Sequence, residues 1–378
     1  MIRRYDIDSL RVIAFALLIL YHVGMFFVPW WFHIKNSIIY EGLIYPMRFL
    51  NQWRLSLLFV ISGMGTYYAL QKRSGLQFAA ERIKRLFIPL IFGMIFIVPP
   101  QVYFERLDKG EFHGNYFEYW PAHAFDGLYP EGNISWHHLW FILYLLIFSL
   151  LLTPVFVYLK NHPDTWIIKK IKQAGSTVSG LYLFIIPLFI WRITLAHKYP
   201  QTNGLINDWY NLINYCSLFF SGFLLISIKD VFWTSVTKNR LLFLINGILG
   251  FSLLTCLWDH TGDFSGKQYI SDFVKVFNLW SWILALSGYS SAYLNKPSKV
   301  LAYANEAVYP FYILHQTIII ALGYYLKNAE LSFFPKFTLM VIGTFGISWI
   351  IYEFGIRRYA LIRPLFGMKP RSPVLKSS

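Results

Sequence analysis

The chain has 378 residues, of which 14% are charged, 56% hydrophobic and 20% aromatic; a soluble domain carries roughly a quarter charged residues, so water is not its main solvent. Its apolar residues come in blocks of about 20 instead of recurring every second or every third to fourth position, which suits lipid and excludes an ordinary globular enzyme with one core. The net charge of +15 is divided among short basic clusters between apolar blocks rather than drawn into one stripe, so it reads as a topology signal and no nucleic acid is expected as a partner.

The first apolar run, Leu10 to Trp30, follows Asp6 and Asp8 and lacks a small-residue cleavage site, so it is expected to stay as a span and not be removed as a signal peptide. Further spans are expected at about 48–70, 86–104, 138–159, 179–197, 210–228, 241–258, 273–294, 303–326 and 336–355. The expectation is an all-α polytopic membrane protein of about ten transmembrane helices, with both termini on one side. One set of loops and both tails hold 22 Lys and Arg, the opposite set nine. Cytoplasmic segments retain basic residues, so both termini are expected in the cytoplasm. Residues 1–360 form the expected transmembrane domain and 361–378 a basic cytoplasmic tail.

The longest outer loop, about 104–137, is rich in Asp, Glu, Tyr, Trp and Gly. Two readings are open: a cover over a polar ligand such as a sugar, or an interfacial aromatic belt with no ligand. Ser-Gly pairs recur inside spans at Ser62-Gly63, Ser221-Gly222 and Ser287-Gly288, where close helix packing accounts for small residues. Cys216 and Cys256 fall in apolar stretches and suggest no disulfide framework.

An ionisable side chain inside a span costs a few kcal/mol, which makes each one a functional candidate. Arg11 and His22 lie eleven residues apart on the first span; eleven steps make three turns plus about 20°, so both point from one face, roughly 16 Å apart along the axis. In the structural reading Arg11 snorkels to the inner headgroups and His22 bonds a neighbouring helix. In the functional reading the pair lines an internal path, with imidazole taking a proton from a hydroxyl nucleophile and guanidinium holding a phosphate or carboxylate. Arg82 and Arg85 are at i, i+3 spacing at the inner mouth of the third span, suited to a phosphorylated cofactor or to anionic lipid. Glu306, His315 and Gln316 interrupt another apolar span; Glu306 and His315 are nine apart, on opposite faces of a straight helix, with Pro310 between them as a source of a kink. His137 and His138 stand at the outer mouth of the fourth span, near His113 and His123, but no metal is expected.

With these residues in view, the chain resembles the acyltransferase 3 family of bacterial membrane acyltransferases over nearly its whole length, and within it the branch of the glucans biosynthesis proteins. The most specific element is Arg-x10-His in an Asp-x-x-Arg context, met by Asp8, Arg11 and His22. Supporting elements are Phe59 to Gly63, the Arg82, Arg85, Leu86, Pro89 run, His138 to Trp140, Tyr309 to His315, and Arg363 to Gly367. The resemblance implies a multi-pass protein of the bacterial cytoplasmic (inner) membrane. It also implies transfer of an acyl group from cytoplasmic acyl-CoA to a hydroxyl of a periplasmic or membrane-carried saccharide. Acetyl-CoA or succinyl-CoA would be the donor, and a saccharide or glucan the acceptor. Carried over by position, His22 would be the catalytic histidine, Arg11 its same-face partner on the donor path, and Arg82 and Arg85 the binders of coenzyme phosphates. Glu306 or His315 would orient His22 or relay a proton. From another class stands a multi-span transporter or channel for a small polar or anionic solute, because buried charge and mid-membrane Pro and Gly also mark substrate paths. A third expectation, a different membrane O-acyltransferase fold, would make His138 or His315 indispensable instead of His22.

Overall fold

In lipid no water satisfies backbone N–H and C=O groups, so a chain of this composition must bond them within helices or closed barrels. The computed structural model, which describes residues 3–259 and 261–370, does so with helices alone: among the described residues the only β-type pairing is an isolated bridge between Leu128 and Ile134. The protein is an all-α polytopic membrane protein. Eight helical runs among the described residues are long and apolar enough to cross a membrane: Tyr5–Met25, Gly75–Lys109, His137–Asn161, Val178–Ala196, Trp209–Ser227, Arg240–Asp259, Lys299–Leu326 and Phe333–Ile356. The other two expected spans, 48–70 and 273–294, fall on Ile44–Leu70 and Lys267–Tyr293. Both are helices of 27 residues, about 40 Å long and so able to cross. They are more polar than the eight because they carry Arg48, Asn51, Gln52 and Arg54 on one, and Asp272, Lys275 and Asn278 on the other.

The chain divides into two compact units, one built from Met1–Ala14, Arg48–Ala79 and Ile147–Asn305 and the other from Phe15–Met47, Ala80–Leu146 and Glu306–Ser378. In the first unit the Ser-Gly pairs do what small residues do at membrane interfaces: they let backbones touch. A Cβ on Gly63 would sit 1.9 Å from the Phe219 carbonyl oxygen, and one on Gly222 would sit 2.0 Å from that of Val60. The contact between Ile44–Leu70 and Trp209–Ser227 is thus reciprocal, with Phe59 stacked on Tyr215 beside it. Gly288 similarly faces the Val236 carbonyl, 2.3 Å from where its Cβ would be. Hydrogen bonds tie further helices together. Trp280 Nε1 donates to the Leu181 carbonyl at 2.8 Å, and Asn246 donates to the Tyr182 hydroxyl at 3.0 Å.

In the second unit Val23, Phe26, Phe27, Ile34, Ile319, Ile320 and Met340 form a fully buried core. It joins the end of the first helix to Lys299–Leu326 and Phe333–Ile350. A side chain from the following loop closes the end of the first helix: Lys35 Nζ donates to the carbonyl of Met25 (2.5 Å), one a helix C-terminus leaves open, and to those of Val28 and Trp30 (3.1 Å) just beyond it.

The outer loop folds on itself. Asn115 and Glu118 make a reciprocal capping box at the start of the helix Tyr116–Ala122. Tyr119 meets Tyr103 at 5.4 Å and Phe112 at 5.2 Å between ring centroids. Arg106 donates to Asn133 and to the carbonyls of Pro130 and Gly132. Burial pushes the Tyr116 hydroxyl up to about 12, and pushes Tyr119 and Tyr129 upward as well. Several of the loop's aromatics are therefore spent on its own packing.

Of the basic tail expected at 361–378, residues 371–378, with Arg371 and Lys376, lie outside the described residues. Before them Arg363–Phe366 make one 3-10 turn that ends on Gly367 at φ 68°, with Arg363 and Phe366 buried. A positive φ of this size is cheap for glycine.

Candidate active site

The second unit gathers the histidines that the sequence scatters. His22, on the first helix, and His315, on Lys299–Leu326, approach to 2.7 Å between His22 Nδ1 and His315 Nε2. Their rings stack at 5.0 Å and 13°. His315 Nδ1 lies 2.6 Å from the Tyr312 carbonyl oxygen, an acceptor only, so that nitrogen carries the proton and Nε2 is left to accept from His22 Nδ1–H. This network places the basic lone pair of the His22 ring at Nε2. Two bonds therefore set the rotation and tautomer of His22 from outside its own helix.

His138 packs edge-on to His315 at 5.1 Å, yet both of its nitrogens have partners. Nε2 donates to the Ile313 carbonyl at 3.0 Å, and Nδ1 faces the Gln101 amide nitrogen at 3.3 Å. Gln101 is the hub of this layer: its amide nitrogen also donates to Thr317 Oγ1 at 2.8 Å, and its oxygen accepts from Gln316 at 3.2 Å and from His137 at 3.2 Å. A further layer follows, in which His137 stacks on His33 at 4.4 Å. Glu105, fully buried, accepts from His33 at 2.6 Å, Lys109 at 2.6 Å and the Tyr129 hydroxyl at 3.1 Å. Sequence reading did not single out Gln101, Glu105 or His33. Gln101 and Glu105 are four apart at the end of the apolar run that begins at Leu86, on one helix face, a spacing that would have marked them.

Glu306 does not join this group. The helix Lys299–Leu326 continues through Pro310, so nine residues put Glu306 about 13 Å along the axis from His315 and on the opposite face. Its carboxylate accepts from Arg363 at 2.8 Å and lies 3.8 Å from Arg357. Arg82 ends the helix Gly75–Arg82, and Arg85 sits in a π turn, Ile83–Phe87. The wider turn breaks the same-face relation that α-helical i, i+3 spacing gives: Arg85 pairs instead with Glu81 at 3.7 Å, and its Nε donates to the Gly367 carbonyl at 3.0 Å. In the first unit Arg11 is held by Asp8 at 3.2 Å and by the Asn305 side-chain oxygen at 3.0 Å.

A histidine pair of fixed tautomer, bordered by amides and buried aromatics, is suited to moving a proton at a stated nitrogen. Comparison with known proteins gives the family. The acyltransferase 3 family, described as an acyltransferase domain, matches residues 4–353. The glucans biosynthesis protein C of Escherichia coli SMS-3-5 / SECEC is 25% identical over 381 residues, covering 97% of this chain and 95% of its own. The proteins of the same name from Escherichia coli K12 / DH10B and from O17:K52:H18 UMN026 are 24% identical at the same coverage. The transporter expectation gives way here, since the match to a family of enzymes is nearly as long as the chain. This integral membrane protein belongs to the acyltransferase 3 family and is an acyltransferase.

Proposed function

We propose that the protein moves an acetyl or succinyl group from cytoplasmic acyl-CoA to a hydroxyl of a periplasmic or membrane-carried saccharide, with His22 as general base. The observation that carries this reading is the 2.7 Å contact from His22 Nδ1 to a His315 ring itself anchored on the Tyr312 carbonyl. The saccharide acceptor is supported by relatives named for glucan biosynthesis. In the reaction His22 Nε2 takes the proton of the acceptor hydroxyl as its oxygen attacks the thioester carbonyl. The carbon–sulfur bond then breaks, and the departing thiolate is protonated by the imidazolium, so the ester forms without net proton change. His315 positions His22 and shares the transient charge. Arg82 and Arg85 bind the coenzyme phosphates at the inner mouth, Arg11 lines the donor path on the same helix as His22, and Glu306 holds Arg357 and Arg363 in place. All ten long helical runs cross the inner membrane, with both termini cytoplasmic; reporter fusions at each end that read as periplasmic would overturn that topology.

The test compares cell-surface and periplasmic glycans by mass spectrometry in a deletion strain carrying wild type or His22→Ala at equal membrane levels. Wild type should restore an acetyl or succinyl mass increment that His22→Ala does not. Full restoration by His22→Ala removes His22 from the chemistry.

A further inference from the structure

The first unit contains a cavity of about 220 Å³ whose lining includes none of the residues given a catalytic or coenzyme role above. It is lined from four helical runs by side chains that a lipid-embedded bundle has no reason to collect: Asn51 and Gln52 from Ile44–Leu70, Arg192 from Val178–Ala196, Tyr210 and Asn214 from Trp209–Ser227, and Lys275 from Lys267–Tyr293. Asn51 and Lys275 belong to the two long helices that are too polar to count among the eight apolar runs. The cavity thus accounts for part of that polarity, Asn51, Gln52 and Lys275, while Arg48 pairs with Asp259. Arg192 opens a π turn, Arg192–Ala196, a rare insertion that redirects side chains and is frequent at functional sites.

The electrostatics narrow the ligand. Arg192 is already engaged, donating through Nε to Asp272 at 2.7 Å and through a terminal nitrogen to the Tyr210 hydroxyl at 3.0 Å. Asp272 also receives His197 at 2.6 Å and has Lys275 at 3.6 Å. The two cations thus share one buried carboxylate, which leaves one net positive charge, with both cations already held by protein groups. Asn214 is the opposite case. It is 6% exposed and lines the cavity, and its side-chain amide makes no hydrogen bond to protein among the described residues. That amide faces the cavity rather than being sealed in protein, so whatever fills the cavity is what bonds it. An amide offers two donors and an acceptor; a phosphate or carboxylate satisfies the donors and opposes the acceptor, whereas a hydroxyl satisfies both. Gln52, half-buried, and Asn51, exposed, offer the same donors and acceptor.

We propose that this cavity binds a polyhydroxylated ligand, one ring of a saccharide, through Asn51, Gln52, Asn214 and the Arg192–Tyr210 pair. Its identification with the acceptor rests on the acyl-transfer reading above; the binding itself does not. The experiment uses the full chain purified in detergent and measures binding of short glucose oligomers by ligand-observed NMR and calorimetry, with inorganic phosphate as the second probe. Glucose oligomers should bind saturably. Gln52→Leu and Asn214→Leu should each weaken binding tenfold or more while eluting as the wild type does on size exclusion, and His22→Ala should bind as wild type. Because Asn214 is buried, Gln52→Leu, at a half-buried position, carries the test if Asn214→Leu fails to fold. Oligomer binding untouched by Gln52→Leu, absent oligomer binding, or saturable phosphate binding lost in the same variants each overturns the proposal and leaves the acyl-transfer reading standing. Cavity-dependent oligomer binding by a protein whose loss changes no glycan supports the proposal and counts against the acyl-transfer reading.

Discussion

His22 and His315, 293 positions apart in the chain, meet at 2.7 Å through a nitrogen of each ring. If the first is the base and the second its positioner, their substitutions differ in kind. His22→Ala should lower acyl transfer in membrane vesicles by about 10²–10⁴-fold, the usual worth of general base catalysis. His315→Ala should lower kcat, leave KM for acyl-CoA near wild type and displace the pH profile, because the His22 tautomer is no longer held. His315→Gln, which keeps an acceptor on that side chain, should recover some of the rate. Equal, complete loss in His315→Ala and His315→Gln with an unmoved pH profile in any residual rate would show that His315 only packs.

Arg82 and Arg85 separate from the histidine pair in steady-state kinetics. Arg82→Ala and Arg85→Ala should each raise KM for acyl-CoA about tenfold, the value of one charge-assisted bond, with little change in kcat. Arg85→Ala also frees the Gly367 carbonyl, so its C-terminal segment should be cut faster by trypsin. A kcat effect without a KM effect contradicts the phosphate-binding role.

Gly63 has no room for a methyl group, its Cβ position being 1.9 Å from the Phe219 carbonyl oxygen. Gly63→Ala must push a pair of helices away from each other and should cost about 1–3 kcal/mol, read as a lower melting temperature in detergent. Gly346, with open space around its Cβ position, is the control: Gly346→Ala should melt at or slightly above wild type. Matching losses at both sites would deny the close helix contact.

The Glu306–Arg363 pair, at 2.8 Å, ties the end of the described chain to Lys299–Leu326. Glu306 is about one-third exposed, so the pair contributes about 1 kcal/mol or less. Glu306→Gln should leave global melting nearly unchanged while hydrogen exchange speeds up in residues 357–368. A rate loss as deep as that of His22→Ala, with exchange unchanged, would move Glu306 into the chemistry.

Alkaline pH should open the outer loop before the membrane helices. Burial holds Tyr116 up to about 12 in the folded state, against about 10 in an unfolded chain. Above pH 10 the unfolded loop therefore loses protons that the folded loop keeps, and the loop's stability falls as pH rises through that window. Tyr119 and Tyr129 are shifted in the same direction. Proteolysis between residues 110 and 136 should accelerate from pH 10 upward and be flat below pH 9; a rate independent of pH across this range contradicts the buried hydroxyls.

What the sequence by itself determined was whatever depends on a residue's place along its own axis. Lengths and apolar blocks set the helices because lipid leaves the backbone no other partner. Arg11 and His22 share a face by counting turns, and the Ser-Gly pairs announced close contacts without naming what they touch. The same reasoning, applied to Arg192, Asp272 and Lys275, would have marked them too, since each is an ionisable group within a long helix. Which residues meet was decided by the tertiary structure alone. Spacing placed Glu306 and His315 on opposite faces but could not say that His315 turns toward His22 while Glu306 turns toward Arg363. Helical periodicity assumed α geometry at Arg82 and Arg85, and a π turn altered it. The polar cavity is invisible in any one segment, because four helical runs each contribute two to four of its lining residues. Local periodicity fixes a direction relative to one helix axis, and a site requires the positions of several axes at once.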